Sequence, residues 1–206
     1  MAITLYGTDL SAHAHRVRLL LHALGMEYTY RVTPRGERGE AWFLSLNPFG
    51  QIPVLVDDAV VLPDSNAALV YLAKRYDPEG LWLPETPEKA ARVQRWLSVA
   101  AGEIVYGPGL ARNIRQFGGN FDADQAARIA DKLLRWTDAH LEDRDWLASD
   151  PGYASPPTIA DLACYGYIRL APEGGIDLSE FESLRAWLGR VEDQDFFFPL
   201  PRLTDG

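Results

Sequence analysis

The stretch Pro53-Val-Leu-Val-Asp-Asp-Ala-Val-Val-Leu-Pro-Asp-Ser65 decides the fold. Pro53–Val56 and Ala59–Leu62 are short β-branched and aliphatic runs that flank Asp57-Asp58, which is the pattern of a hairpin with a two-residue turn. Pro53 stands where the first run begins, and proline, which has no N–H for a ladder, is confined to strand starts and edges. Asp64-Ser65 then opens a helix whose Leu69, Leu72, Ala73 and Tyr76 share one apolar stripe.

Upstream, strand and helix patterns alternate. Ala2–Tyr6 is a short apolar strand, and Ser11–Leu24 carries Val17, Leu20, Leu21 and Leu24 at i, i+3, i+4 and i+7 before Gly25 stops it. Glu27–Val32 is a second strand, Thr33–Gly39 a polar loop, and Glu40–Leu46 a short helix. The order β-α-β-α-β-β-α implies two parallel strands joined by a right-handed crossover, with the hairpin adding an antiparallel edge. That is a thioredoxin-like layout, expected over residues 1–78.

Downstream, Asp77–Pro87 is a linker rich in proline and acid, after which strand patterns vanish. Glu88–Tyr106 is helical until Gly107-Pro108-Gly109 interrupts it. Asp122–Leu141 has the 3-and-4 spacing of a bundle helix, and further helices are expected over Thr158–Leu170 and Ser179–Val191. Residues 88–206 are thus expected to form an all-helical domain, giving an α/β plus all-α chain.

Composition narrows the function. The 206 residues carry a net charge of −9, most of it in the second part, which argues against nucleic acid or an anionic membrane as partner. No apolar run approaches the ~20 residues that span a bilayer, and Met1–Tyr6 lacks the basic-then-apolar pattern of a signal peptide. The single cysteine, Cys164, excludes an internal disulfide and a CxxC pair and suits a reducing cytoplasm.

Several residues carry chemistry, each beside a plain structural role. A cis Ile52-Pro53 bond would turn the Ile52 N–H and C=O outward to pair with an extended peptide, whereas a trans proline would only open an edge strand. Asp64 and Ser65 are common N-caps, and spacing alone asks no more of them. A helix N-terminus with a hydroxyl also holds a carboxylate, and an adjacent Asp an ammonium, so the pair suits the zwitterionic end of an amino acid. Ser11 is either a cap of the first helix or the hydroxyl that favours a thiolate there, since an unperturbed thiol titrates near ~8.5. Tyr6 and Thr8 are further hydroxyls. His13 and His15, two apart on a helix, do not form a metal pair, and each reads as a partly exposed polar residue. Thr158-Ile159-Ala160-Asp161 is a capping box and a folding element.

Together these pieces resemble the cytosolic glutathione transferase family over nearly the whole chain. The resemblance rests on Leu5-Tyr6-Gly7, Ser11, Arg16-Val17-Arg18-Leu19, Leu46–Leu55, Leu62–Ala67 and Thr158–Asp161, taken in order, and Ala171–Leu178 looks like the bacterial members. It implies glutathione as co-substrate along Ile52-Pro53, with Pro53 cis and the γ-glutamyl end held by Asp64 and Ser65. Gln51 occupies one common position of the contact to the glycyl carboxylate, with Arg35 or Arg38 as sources of charge. Counting back from Val17 puts Ser11 where the serine-type enzymes carry their thiol activator, with Tyr6 second. The resemblance also implies a homodimer, a hydrophobic second site between the domains, and a cytoplasmic detoxifying transferase acting on a small hydrophobic electrophile. That site would be lined by the Ser11–His15 turn, the helix through Tyr106 and Arg112, and the tail Phe196–Phe198. A glutathione-dependent isomerase or peroxidase, and a non-catalytic module of the same fold, are the alternatives. Ser11-Ala12-His13 stands where maleylacetoacetate isomerases read Ser-Ser-Cys, which counts against that activity.

Overall fold

The computed structural model describes residues 3–203, which divide into two compact units: Met1–Glu79 with Asp195–Pro201, and Gly80–Gln194 with Arg202–Gly206, as far as these are described. Ala2, expected to open the first strand, lies outside the described residues.

In the first unit β1 (Ile3–Gly7) leads to α1 (Ala12–Ala23), then β2 (Tyr28–Val32), a 3-10 turn at Arg35–Gly39 and the short α2 (Ala41–Leu44). β3 (Val54–Asp57), β4 (Val60–Leu62) and α3 (Ser65–Tyr76) complete it. The sheet order is β2-β1-β3-β4, with β1 and β2 parallel and both β1–β3 and β3–β4 antiparallel. Alternation along β1 buries Ile3, Leu5 and Gly7 on one face. That face meets α1, and a Cβ on Gly7 would lie 2.8 Å from the Ala14 Cβ and 2.9 Å from the Tyr30 hydroxyl, so only glycine lets helix and strand come this close. Val17, Leu20 and Leu21 of α1 are fully buried, as are Leu55, Leu69 and Leu72. The hairpin differs from expectation by one residue. Asp57 pairs with Val60, so the turn is Asp58-Ala59, and Asp58 takes φ 50°, a left-handed conformation that Asp tolerates better than most residues. Asp57 is instead held on the strand, buried and accepting hydrogen bonds from the Tyr71 and Tyr76 hydroxyls at 2.9 and 2.5 Å.

Residues 195–201 belong to this unit through α1. The His15 Nε2–H donates to the Phe198 carbonyl at 2.8 Å, and the Phe198 ring lies 4.8 Å from the His15 ring, 4.7 Å from His22 and 4.6 Å from the Arg18 guanidinium. The expectation of a partly exposed His15 is therefore wrong: its side chain is buried because the returning tail covers it.

The second unit is helical: α4 (Pro87–Ala101), α5 (Leu110–Phe117), α6 (Ala123–Leu141), α7 (Ile159–Arg169) and α8 (Glu182–Glu192). Pro87 takes the first turn of α4, where its missing N–H costs nothing. Gly107-Pro108-Gly109 does not end a helix as expected. Val105–Gly109 widens into a π turn that runs on into α5. The cause is packing: a Cβ on Gly107 would stand 2.9 Å from the Ala130 backbone nitrogen, so the bare backbone lies directly on α6. Trp96 stacks on Trp136 at 4.9 Å inside the bundle. The Thr158–Asp161 capping box forms, and Asp161, fully buried, also accepts from the Leu147 N–H at 2.9 Å and the Trp187 indole at 3.0 Å. Among the described residues no helix is long and apolar enough to cross a membrane.

Candidate functional site

Strand register brings three chain segments to one end of the sheet. The end of β1 lies beside the start of β3 (Tyr6 with Val54), and the end of β4 beside that start (Leu62 with Leu55). The turn into α1, the Gln51–Pro53 segment and the start of α3 therefore share that end, and with them Ser11, Gln51, Ile52, Pro53, Asp64 and Ser65.

Ser11 is the N-cap of α1, its Oγ accepting from the Ala14 N–H at 3.2 Å. Capping occupies a lone pair and leaves the hydroxyl proton to donate elsewhere. No acidic side chain stands in the first turn of α1, so the positive end of the helix is not offset there. Tyr6 alternates to the opposite face of β1. Its ring lies 6.0 Å from Trp42 and 6.4 Å from Phe43, away from the face that α1 covers. Of the two hydroxyls considered for a thiol, geometry places Ser11 at the helix start and Tyr6 across the sheet.

The Ile52–Pro53 peptide bond is cis. The approach to it is organised by the buried Asn47, whose amide donates to the Gln51 carbonyl at 2.8 Å while its own Oδ1 accepts from the Phe49 N–H at 3.0 Å. Gly50 takes φ 63°, and a Cβ there would meet the Arg38 carbonyl at 3.0 Å. Gln51 is exposed, while Arg38 turns inward and donates to the Thr33 carbonyl at 3.1 Å.

Asp64 caps α3 through the Ala67 N–H at 2.8 Å and is otherwise exposed. Ser65, 5% exposed, lies between two residues of α1: the Arg16 Nη1 at 3.4 Å and the His13 Nδ1 at 3.3 Å. Arg16 also donates to the Asn66 Oδ1 at 2.9 Å. Burial of its ring, with the Arg16 charge second, lowers the His13 pKa to about 3, and burial likewise brings His15 to about 4. Both imidazoles are neutral at physiological pH.

The helical unit contains a cavity of about 950 Å³ whose walls include Val99, Tyr106, Leu110, Ile129, Leu133 and Trp136. Tyr106 is exposed towards it, whereas Trp96 is bundle core. Arg112, expected to face a substrate, is instead buried in a 2.6 Å ion pair with Glu173, whose other oxygen accepts from the Leu203 N–H at 3.0 Å. A buried guanidinium needs such a partner. Phe198, expected to line the site with the Ser11–His15 turn, packs on His15 and Arg18 of α1.

Residues 10–75 match the family described as glutathione S-transferase, N-terminal domain. Glutathione S-transferase 3 of Zea mays is 34% identical over an alignment of 161 residues that covers 72% of this chain and 71% of that one. Glutathione S-transferase GstB of Escherichia coli strain K12 is 30% identical over 201 residues, 93% and 94% of the two chains. The crystal structure of a glutathione S-transferase from Pseudomonas fluorescens superposes with TM-score 0.86 at 28% identity, covering 96% of this chain and 98% of that one.

This chain belongs to the glutathione S-transferase family.

Membership makes it a glutathione transferase, an enzyme with glutathione as co-substrate, and the thioredoxin-like sheet followed by a helical bundle is that family's fold. In this transferase the partners of two residues beside the candidate site escape a local reading of the sequence. Arg16 lies four before Leu20 and so on the buried face of α1, a helical-period signal that a buried charge needs a partner. His13 is partly exposed, as expected, and its ring also sits against Ser65, a neighbour 52 residues away that spacing does not reveal.

Proposed function

We propose that the enzyme joins the glutathione thiolate to a small hydrophobic electrophile and that Ser11 stabilises the thiolate. Glutathione lies extended along Gln51, Ile52 and Pro53, with its γ-glutamyl end at Asp64 and Ser65. The observation that supports this best is the convergence of the α1 start, the Gln51–Pro53 segment and the α3 start at one end of the sheet. The Asp64 carboxylate faces the γ-glutamyl ammonium, and the Ser65 hydroxyl with the α3 N-terminus faces its carboxylate. At the other end of the tripeptide the thiol reaches the α1 N-terminus. There the Ser11 O–H donates to sulfur and, with the helix dipole, lowers the thiol pKa. The thiolate then attacks the electrophilic carbon, a C–S bond forms, and the leaving group departs with its electron pair.

The co-substrate site falls within residues 1–78, and residues 88–206 supply the second-substrate site. The largely apolar cavity beside Tyr106, with Arg95, Glu103 and Lys132 also in its walls, is the feature of the helical unit suited to a hydrophobic molecule. Phe49, 84% exposed, is a side chain that a homodimer contact would cover. A cytoplasmic role in removing reactive electrophiles fits this chemistry. Binding to immobilised glutathione followed by a conjugation assay on Ser11→Ala tests the reading. The expected result is retained binding with kcat/KM lower by about 10²-fold, the scale of losing one positioned donor. Full activity in Ser11→Ala, or no binding to glutathione, overturns it.

A further inference from the structure

The Ser65 hydroxyl has one proton to give and two lone pairs to offer. Arg16, a donor only, occupies one lone pair through its Nη1 at 3.4 Å. The His13 Nδ1 at 3.3 Å is the second neighbour, and the neutral imidazole has one protonated and one bare nitrogen. The two tautomers leave Ser65 in opposite conditions. With the proton on Nε2, the bare Nδ1 accepts the Ser65 proton, and the hydroxyl has nothing left to donate to a ligand. With the proton on Nδ1, His13 donates to the second lone pair. Both lone pairs are then filled by α1, and the Ser65 O–H must find an acceptor elsewhere.

We infer that His13 is a positioning residue for the anionic end of glutathione: with ligand bound, its proton resides on Nδ1 and commits the Ser65 hydroxyl as a donor. The inference rests on the proposal that Ser65 meets the γ-glutamyl carboxylate. A carboxylate can only accept, so it selects the tautomer that turns the O–H outward. Ser65 is buried, and a hydroxyl there pays for any unsatisfied valence, which gives the selection its force. His13 and Ser11 share the first turn of α1, so the same turn serves both ends of the tripeptide.

Glutathione Kd and steady-state constants of wild type, His13→Ala, His13→Asn, Ser65→Ala and the double variant His13→Ala/Ser65→Ala test this. Asparagine places an amide donor near the Nδ1 position without an imidazole. His13→Ala is expected to weaken glutathione binding about tenfold, because the Ser65 hydroxyl loses the donor that commits its own proton to the carboxylate. The loss falls on Kd and KM rather than on kcat at saturating glutathione. His13→Asn should recover to within about threefold of wild type, and His13→Ala should add nothing in the Ser65→Ala background. Histidine ¹⁵N spectra should show Nδ1 protonated in the glutathione complex, a readout that needs no variant to fold. An unchanged Kd in His13→Ala, no recovery with asparagine, additivity in the double variant, or a bare Nδ1 in the complex overturns the inference. If Ser65→Ala itself binds as wild type, the carboxylate assignment fails instead, and the two failures are distinct.

Discussion

Replacing Asp161 by alanine tests how far the helical unit depends on one buried carboxylate. Its Oδ1 accepts from the Leu147 N–H at 2.9 Å and the Trp187 indole N–H at 3.0 Å, and its Oδ2 from the Thr158 N–H at 2.9 Å and hydroxyl at 3.3 Å. The hydroxyl can rotate towards another acceptor, so alanine strands three fixed N–H donors. At about 1–3 kcal/mol per stranded buried donor the gross cost is about 3–9 kcal/mol. Wild type carries an opposing cost. Burial pushes the Asp161 pKa up against the pull of its donors, so keeping the charge inside is unfavourable, and that burden disappears with the side chain. The net loss should therefore lie low in the range, about 3–5 kcal/mol. Asparagine keeps an oxygen for the Leu147 and Trp187 donors but turns its NH₂ towards the Thr158 N–H, stranding one donor for about 1–3 kcal/mol. Urea titrations followed by far-ultraviolet circular dichroism read both values from the shift in midpoint at constant m. A loss below about 1 kcal/mol in Asp161→Ala, or an asparagine variant as damaged as the alanine one, would refute the reasoning.

Stability should rise with pH between about 4 and 6.5, because His15 titrates near 4 when folded and near 6.5 when unfolded, so the unfolded chain binds the extra proton. The contribution is complete above the unfolded value and is lost as pH falls to the folded one. His15→Gln, which keeps a donor for the Phe198 carbonyl, should reduce the slope of ΔG against pH by about 1 kcal/mol per unit in urea titrations at pH 5–6. An unchanged slope would show that His15 is not the titrating group. Gly107→Ala should destabilise by about 1–3 kcal/mol, since its Cβ would stand 2.9 Å from the Ala130 nitrogen, where backbone cannot yield; an unaffected midpoint contradicts that packing. Arg112→Met leaves Glu173 buried without its guanidinium and should cost about 3–5 kcal/mol, with Glu173→Gln in the same chain recovering much of it. Equal stability of the single and double variants would mean that the pair is not coupled.

Local signals were legible wherever the partner is near in sequence. Asp122 caps α6 through Gln125, three residues on, and Thr158 and Asp161 cap α7 within one turn, so residue type and spacing suffice. The parallel first pair and the antiparallel hairpin followed from the right-handed crossover and from hairpin chemistry. Distant partners were not legible. Nothing near Arg112 announces Glu173, and nothing near His15 announces a carbonyl 183 residues away. The Gly107-Pro108-Gly109 stretch misled because helix propensity assumes exposed backbone, whereas here α6 packs on that backbone and holds it helical. At the site the motif residues were visible, and the side chains between them were not: Arg16 and His13 act across a gap of about 50 residues.

The return of residues 195–201 to α1 makes the first unit discontinuous along the chain. During synthesis the sheet and its three helices leave the ribosome well before Phe198 exists, so the nascent unit holds His15 and Arg18 without the carbonyl and ring that cover them in the finished molecule. The first unit is thus completed by residues made long after its sheet, and a fragment stopped at Glu79 would lack that cover from the start.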